Sequence, residues 1–262
     1  MQAWMAKMNE ARVKHKMYKR VKNAGRHGVY FCYRDEQQKE RKLKGVTKLF
    51  ERVFGSVSGS TTSTTASKHA RGHHSALKRG VRIHLQLEAL ASQVVVGGSA
   101  APELKNVDLL TRRIWSYIVD QLQWQPVDAE VIVRKGCIGT AVDLVCVCRR
   151  TGRPKLVEVK TGYEGSGYMT ANGCFRGTTI HRNFFNAHSM QLTETAHLFT
   201  KTFGIPLERD DVAIVRADAC QVERFLVNPD VWKKAASLHN KAATFLRERR
   251  RIRRTTAAAR RS

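Results

Sequence analysis

The sequence is short of acidic residues, has no CxxC motif and contains no long apolar run, and each absence excludes a class of protein. Its 262 residues include 22 Asp and Glu against 47 Lys and Arg, which gives a formal net charge of +25. No stretch reaches the roughly 18 apolar residues that a transmembrane helix needs, so we expect no membrane-spanning segment. Six cysteines without a CxxC pair, and without a secretory signal peptide before them, favour a reducing compartment.

The excess of basic residues points to a polyanionic partner. A sequence pI of about 10.4 is far from that of a typical cytosolic enzyme. Nucleic acid is the expected partner of such a chain, with salt-sensitive binding, and an anionic membrane surface is the competing one. We expect DNA, in double- or single-stranded form or at its ends, and no membrane.

Composition divides the chain into four segments. Gly55–Ser67 is a low-complexity run of Gly, Ser and Thr that cannot support a core, which predicts a flexible linker. We therefore expect a basic extension over 1–54, a linker over 55–76, a folded domain over 77–245 and an arginine-rich tail over 246–262. The basic start suits a mitochondrial presequence, a nucleic-acid arm or a nuclear signal equally well.

The stretch from Gly139 to Gly162 predicts a hairpin, because two β-type runs flank a polar turn at 149–154. Asp143 lies in the first run. Glu158 and Lys160 lie in the second, where a period of two places them on one face. Two carboxylates suit Mg²⁺ or Mn²⁺, and a lysine beside them can orient a water or offset charge on a phosphate.

Two predicted helices flank this hairpin. Leu77–Ser92 has apolar residues at helical spacing, and His84 and Glu88, four residues apart, share one of its faces. Asn183–Phe203 is amphipathic and is followed by Gly204, a typical helix end. It carries Gln191.

These motifs resemble those of PD-(D/E)xK nucleases, in particular the RecB-type and mitochondrial genome-maintenance exonucleases. The pattern Asp143…Glu158-x-Lys160 resembles the central signature of the family. Gly80-x-x-x-His84-x-x-x-Glu88 is similar to the first motif of RecB-type enzymes, which comes in the same order along the chain. Those enzymes also have a helix with Gln followed four residues later by Tyr, and here Gln191 is followed by Thr195.

The resemblance implies an α/β fold with a restriction-endonuclease-like αβββαβ core, in which helices flank a mixed central sheet. It also implies a Mg²⁺- or Mn²⁺-dependent DNA nuclease, more specifically an exonuclease, acting in recombination, repair or replication. Some RecB-type nucleases hold an iron–sulfur cluster with a group of C-terminal cysteines. No cysteine follows Cys220 in this sequence, so we expect no iron–sulfur cluster. The implied metal ligands are His84, Glu88, Asp143, Glu158 and the carbonyl of Val159, and the implied catalytic residues are Asp143, Glu158, Lys160 and Gln191.

Two other functions are compatible with the sequence. One is a nucleic-acid-binding protein on an inactivated nuclease fold, against which the intact Asp143, Glu158 and Lys160 set argues. The other is a basic structural or ribosome-associated protein in which the hairpin charges are incidental. For the nuclease as for these alternatives, we expect a location in the nucleus or the mitochondrion, and a viral origin is also compatible with the sequence. The sequence leaves open the oligomeric state, the choice between DNA and RNA, and the choice between exonuclease and endonuclease action.

A glycine-rich loop follows the hairpin and contains three aromatic residues. Tyr163, Tyr168 and Phe175 lie between Gly162 and Gly177. Aromatic residues in a loop beside a nuclease centre can stack on unpaired bases, and the alternative is a mobile surface loop.

Overall fold

The protein has a mixed α/β fold. The computed structural model describes residues 3–15, 17–20, 30–34, 37, 39–57, 66–97, 103–161 and 168–259. The strands are Met17–Arg20 (β1), Tyr30–Arg34 (β2), Glu40–Lys42 (β3), Lys44–Gly45 (β4), Trp124–Lys135 (β5), Ile138–Cys148 (β6), Pro154–Thr161 (β7), Val212–Ala217 (β8) and Val222–Leu226 (β9). The helices are Ala3–His15 (α1), Val46–Phe54 (α2), Ala66–Gly97 (α3), Leu109–Ser116 (α4), Phe184–Phe203 (α5), Pro229–Lys233 (α6) and Ala235–Ala259 (α7).

The central sheet is mixed. Strand β6 pairs antiparallel with β5 on one edge and with β7 on the other. Strand β7 pairs parallel with β8, which pairs antiparallel with β9, and the short β4 runs parallel to the start of β6. A separate antiparallel sheet contains β1, β2 and β3. The predicted mixed central sheet is confirmed.

Helices cover both faces of the central sheet and bury two apolar cores. One core lies between the sheet and α2, α5 and α7, and the other lies between the sheet and α3 and α4. We call these the α5 face and the α3 face. Burial of this apolar surface is the main favourable term in the folding of such a layered domain.

The sheet opens between β6 and β7, and this opening positions the site. Pairing of the two strands ends at Leu144 and Val157, but β7 continues along β8 to Thr161. The first residues of β6 pair instead with β4, at Gly45 and Gly139. We call this opening, lined by Asp143, Glu158 and Lys160, the fork.

Gly139 is required where β4 meets β6. A Cβ atom at this position would lie 2.7 Å from Leu43 Cδ1 and 2.8 Å from the carbonyl oxygen of Val133, both closer than Cβ contacts occur. A residue with a side chain at this position would therefore displace its neighbours.

The predicted helix over Asn183–Phe203 is confirmed as α5, with Asn183 as its N-cap. The Asn183 side chain accepts a hydrogen bond from the backbone N–H of Asn186. Gly204 ends the helix in the left-handed region, at φ 67°.

The predicted segment boundaries differ from the structure. Residues predicted as an extension over 1–54 include α2, whose Val46, Leu49, Phe50 and Phe54 are buried in the core of the α5 face. The helix predicted from residue 77 begins at Ala66, so part of the predicted linker over 55–76 is helical. Local composition was a poor guide to the start of α3. The polar and basic residues at its beginning can be helical because apolar residues further along the same helix pack against the sheet.

Two of the three loop aromatic residues considered for base stacking are buried. Tyr168 is 1% exposed and Phe175 is 3% exposed, so both belong to the core and not to an open loop surface. Tyr163 lies outside the described residues. Among the helices that the structure describes, none combines the length and the apolarity needed to cross a membrane.

Candidate functional site

Asp143 occupies the point where β6 and β7 part. Its Oδ2 accepts a hydrogen bond of 2.7 Å from the backbone N–H of Val159, in place of the strand partner that β6 no longer provides. The side chain is 11% exposed, which leaves one edge of the carboxylate accessible from the fork. The hairpin geometry thus brings Asp143 to the second strand, as the sequence predicted.

Glu158 and Lys160 share the α5 face of β7, as the period of two predicted. Lys160 Nζ lies 2.6 Å from Glu158 Oε1. Gln191, which projects from α5, donates through Nε2 to the same oxygen at 2.5 Å. Glu158 is almost completely buried, so these two donors compensate for the loss of water around its charge.

His84 reaches the fork from the α3 face. Its Nδ1 lies 3.4 Å from Asp143 Oδ1 and 3.6 Å from Glu130 Oε1. Helix α3 passes close to the end of β7 one turn earlier, where a Cβ on Gly80 would lie 3.5 Å from Thr161 Oγ1. The fork is therefore approached from both faces of the sheet.

Polar contacts to α4 and to its N-cap residue fix helix α3 on both sides of His84. Gln86 Oε1 accepts a hydrogen bond of 2.7 Å from Thr111 Oγ1, and Arg82 forms an ion pair with Asp108. These contacts hold the helix in the register that directs His84 to the sheet.

Glu130 completes the acidic group, although it belongs to none of the motifs that the sequence indicated. The pairs Ala129–Leu144 and Val131–Val142 place Glu130 directly opposite Asp143. Its φ of 50° is unusual for a residue other than glycine, and such strain is found mainly at functional sites.

A signal for Glu130 exists in the sequence. If Gly136 and Cys137 form a two-residue turn, the strands on either side pair so that residue 130 faces residue 143. Counting outward from that turn would have found the second carboxylate.

Within the described part of the chain, His84, Glu130 and Asp143 form the group that could hold a metal ion. Their ligand atoms all lie within 4.8 Å of one another. Of the predicted ligands, His84 and Asp143 belong to this group. Glu88 does not belong to it, and Glu130 provides the glutamate carboxylate that was predicted from Glu88.

The remaining predicted ligands lie at the edge of this group. Glu158 directs Oε1 towards Lys160 and Gln191, and Val159 contacts the site through its N–H group. The structure therefore brings Asp143, Glu158, Lys160, Gln191 and His84 to one fork, but with different partners from those that the sequence predicted.

The electrostatics of the fork show an excess of negative charge. Burial, followed by the charge of Glu158, raises the pKa of Asp143 to about 7 against the opposing effect of His84 and Lys160. The Asp143 carboxylate in turn raises the pKa of His84 to about 9. A bound cation would relieve the repulsion between the two facing carboxylates.

The donor set fits a divalent cation. Carboxylate oxygens suit Mg²⁺ and Mn²⁺, and an imidazole nitrogen makes Mn²⁺ the better match of the two. The cross-strand pairing of Glu130 and Asp143 supports this fit independently of the pKa values.

Comparisons with known proteins identify no family. No family model matches the chain, and no curated protein matches it. Five chains of solved structures match. One, described as "Crystal structure of SSO0001", is 15% identical, with 63% of this chain and 71% of that chain covered, at a TM-score of 0.30. A similarity of this quality supports no inference about function.

Proposed function

We propose that this protein is a metal-dependent deoxyribonuclease of the PD-(D/E)xK type. The observation that carries the proposal is the convergence of Asp143, Glu158, Lys160 and Gln191 at the fork, opposite His84. The element order α3, β5, β6, β7, α5, β8 agrees with the αβββαβ order of the restriction-endonuclease-like core. A buried carboxylate pair beside a lysine is costly to maintain without a bound cation or a reaction to serve.

Each residue has a role in phosphodiester hydrolysis. His84, Glu130 and Asp143 would hold Mg²⁺ or Mn²⁺, and the ion would supply Lewis-acid chemistry that makes a bound water more acidic and offsets charge on the phosphate. Glu158 keeps the Lys160 ammonium in place at 2.6 Å. Lys160 positions the attacking water or stabilises the charge that develops on the phosphate. Gln191 orients Glu158 and can bind the same phosphate.

The net charge supports DNA as the substrate. A charge of +25 attracts the phosphate backbone without regard to sequence. Exposed arginines near the end of α7, such as Arg249 and Arg251, add phosphate-binding groups. The exonuclease form of the proposal rests on the resemblance of the His84 and Gln191 helices to those of RecB-type enzymes.

Digestion assays test the proposal. Linear and circular DNA, single- and double-stranded, are incubated with Mg²⁺, Mn²⁺ or EDTA, and end-labelled products are resolved by size. We expect metal-dependent cleavage of linear DNA. Asp143→Asn and Lys160→Gln should each reduce the rate by at least about 100-fold, the typical effect of removing one electrostatic catalytic group.

Matched control variants separate the site from general charge effects. Asp210→Asn and Lys201→Gln make the same chemical changes at exposed positions away from the fork. Both should retain the rate of the unmodified protein. DNA binding without cleavage in any metal would contradict the proposal in favour of an inactive nucleic-acid-binding protein, and salt-sensitive retention on RNA alone would favour a ribosome-associated one.

A further inference from the structure

A cavity of about 220 Å³ adjoins the fork on the α5 face. It lies between α2 and the first half of α5, and Lys160 and Gln191 form part of its wall. The site for the phosphate and the cavity are therefore continuous. Its aromatic lining residues are Phe50, Phe54, Phe175 and Phe184.

Buried, uncharged side chains form the inner surface of the cavity. Phe54 and Phe175 are almost completely buried, and Phe50 packs edge-on against Phe54 with 5.2 Å between ring centroids. His188 lies in the same wall, with Nδ1 3.0 Å from the Tyr168 hydroxyl. Burial, with a smaller effect of Lys160, holds the pKa of His188 well below its usual value, so the ring is neutral.

The outer rim of the cavity is polar. Thr47 and Glu51 lie one turn apart on α2, and both are exposed. The Glu51 carboxylate disfavours a phosphate at the rim but can accept hydrogen bonds from the amino groups of a base. The ammonium group of Lys160 is the positive charge in the cavity wall, and it lies at the end of the cavity that adjoins the fork.

The size of the cavity suits one planar ring system. The cavity volume of about 220 Å³ is smaller than the ~300 Å³ or more of a typical drug-sized pocket, and a nucleobase of about ten non-hydrogen atoms suits it. Phe184 is the half-buried ring of this lining, and it favours a group that has a π face and can stack.

We propose that this cavity receives an unpaired nucleobase of the nucleotide next to the phosphate held by Lys160 and Gln191. The inference rests on the proposed nuclease function for the identity of that phosphate. A paired base cannot enter, so the substrate must be single-stranded or frayed at its end. The cavity thus selects unpaired DNA over an intact duplex.

Binding to abasic DNA tests the proposal without requiring cleavage. Short single-stranded oligonucleotides, each with one abasic nucleotide at a different position, are titrated in EDTA and followed by fluorescence anisotropy. We expect one position at which loss of the base weakens binding about tenfold, the fold-change typical of one stacked base.

Two substitutions of alanine by leucine show where the missing base would bind. Ala187 lines the cavity, so Ala187→Leu should occupy it and remove the difference between the intact and the abasic oligonucleotide. Ala236 is exposed on α7 and does not line the cavity, so Ala236→Leu should keep the difference. Circular dichroism checks that both variants are folded.

The outcomes distinguish this proposal from the proposed function. Metal-dependent cleavage with equal binding of intact and abasic DNA would overturn the base pocket and retain the nuclease. The same holds if Ala187→Leu behaves like Ala236→Leu. Base-selective binding that Ala187→Leu abolishes, without cleavage in Mg²⁺ or Mn²⁺, would support the pocket and overturn the nuclease.

Discussion

Asp143 illustrates how a single side chain can depend on a defect in a sheet. In a continuous β6–β7 pair its carboxylate would lie among strand neighbours, but here the strands part and Oδ2 binds the Val159 N–H. The other oxygen, Oδ1, faces His84 at 3.4 Å and is the one available to a cation. Of the two oxygens of this carboxylate, Oδ2 therefore has a structural partner and Oδ1 is available for chemistry.

The protonation of the site predicts that metal affinity rises with pH. Below pH ~7 binding must release protons from both His84 and Asp143, and between pH ~7 and ~9 it must release one from His84. The Mn²⁺ dissociation constant should therefore fall up to about tenfold per pH unit over the upper range, and more steeply below it. Isothermal titration calorimetry from about pH 6 to about pH 9 measures this.

His84→Asn is the control for the pH prediction. This variant lacks the imidazole and the positive charge by which it lowers the pKa of Asp143, so Asp143 becomes the ligand that must release a proton above pH ~7. Its Mn²⁺ affinity should be weaker, and below pH ~7 it should rise with pH less steeply than in the unmodified protein, because one proton fewer is released. An unchanged slope below pH ~7 would show that His84 does not bind the metal.

The two glutamates near His84 should differ in importance. Glu130 has an oxygen within 4.8 Å of the other two ligand atoms, whereas Glu88 is not part of that group. Glu130→Gln should weaken Mn²⁺ binding by at least about tenfold, and Glu88→Gln should change it little. Equal losses in the two variants would contradict the assignment of Glu130 as a ligand.

Among the elements, β5 stores backbone strain at its functional residue. Its ladder with β6 is continuous on both sides of Glu130, but Glu130 itself has φ 50°. A left-handed backbone at a residue with a Cβ costs about 1–2 kcal/mol, and glycine avoids most of this cost. The carboxylate is thus held towards Asp143 at the expense of stability.

A glycine–alanine comparison measures this strain. Glu130→Gly should be more stable than Glu130→Ala by about 1 kcal/mol in urea unfolding, although both variants lose the carboxylate and its metal affinity. At Glu223, in β9, the backbone has no positive φ, so Glu223→Gly should be the less stable of its pair. The same order at both positions would show that Glu130 is not strained.

At the scale of the whole molecule, the stability of the fold depends on α2, although composition had placed this helix in a separate N-terminal extension. The four buried side chains of α2 contribute about 1.5–3 kcal/mol each, a sum comparable to the ~5–15 kcal/mol total stability of a typical domain. A chain that begins at residue 58 should therefore be unfolded or insoluble, as measured by circular dichroism and gel filtration.

Removal of residues 251–262 is the matched control for this truncation. Ile252 is 59% exposed and Arg251 and Arg253 are exposed, so the shortened chain should unfold at nearly the same temperature. A cooperative unfolding transition in the chain that begins at residue 58 would refute the role assigned to α2.

The elements that depend on near neighbours in the chain could be predicted from the sequence alone. The β6–β7 hairpin follows from its turn, the shared face of Glu158 and Lys160 follows from the period of a strand, and α5 follows from its apolar spacing and its terminal glycine. Each of these depends on interactions within a few residues.

Contacts between distant segments are set by the folded chain and not by local sequence. The parting of β6 and β7, the position of Glu130 opposite Asp143, the packing of α2 and the burial of Tyr168 and Phe175 all depend on contacts between parts of the chain far apart in sequence. Local pattern carries little information about such contacts, because many pairings of the same elements satisfy the same periodicity. The sequence thus determined which residues are available for chemistry, and the fold determined which of them act together.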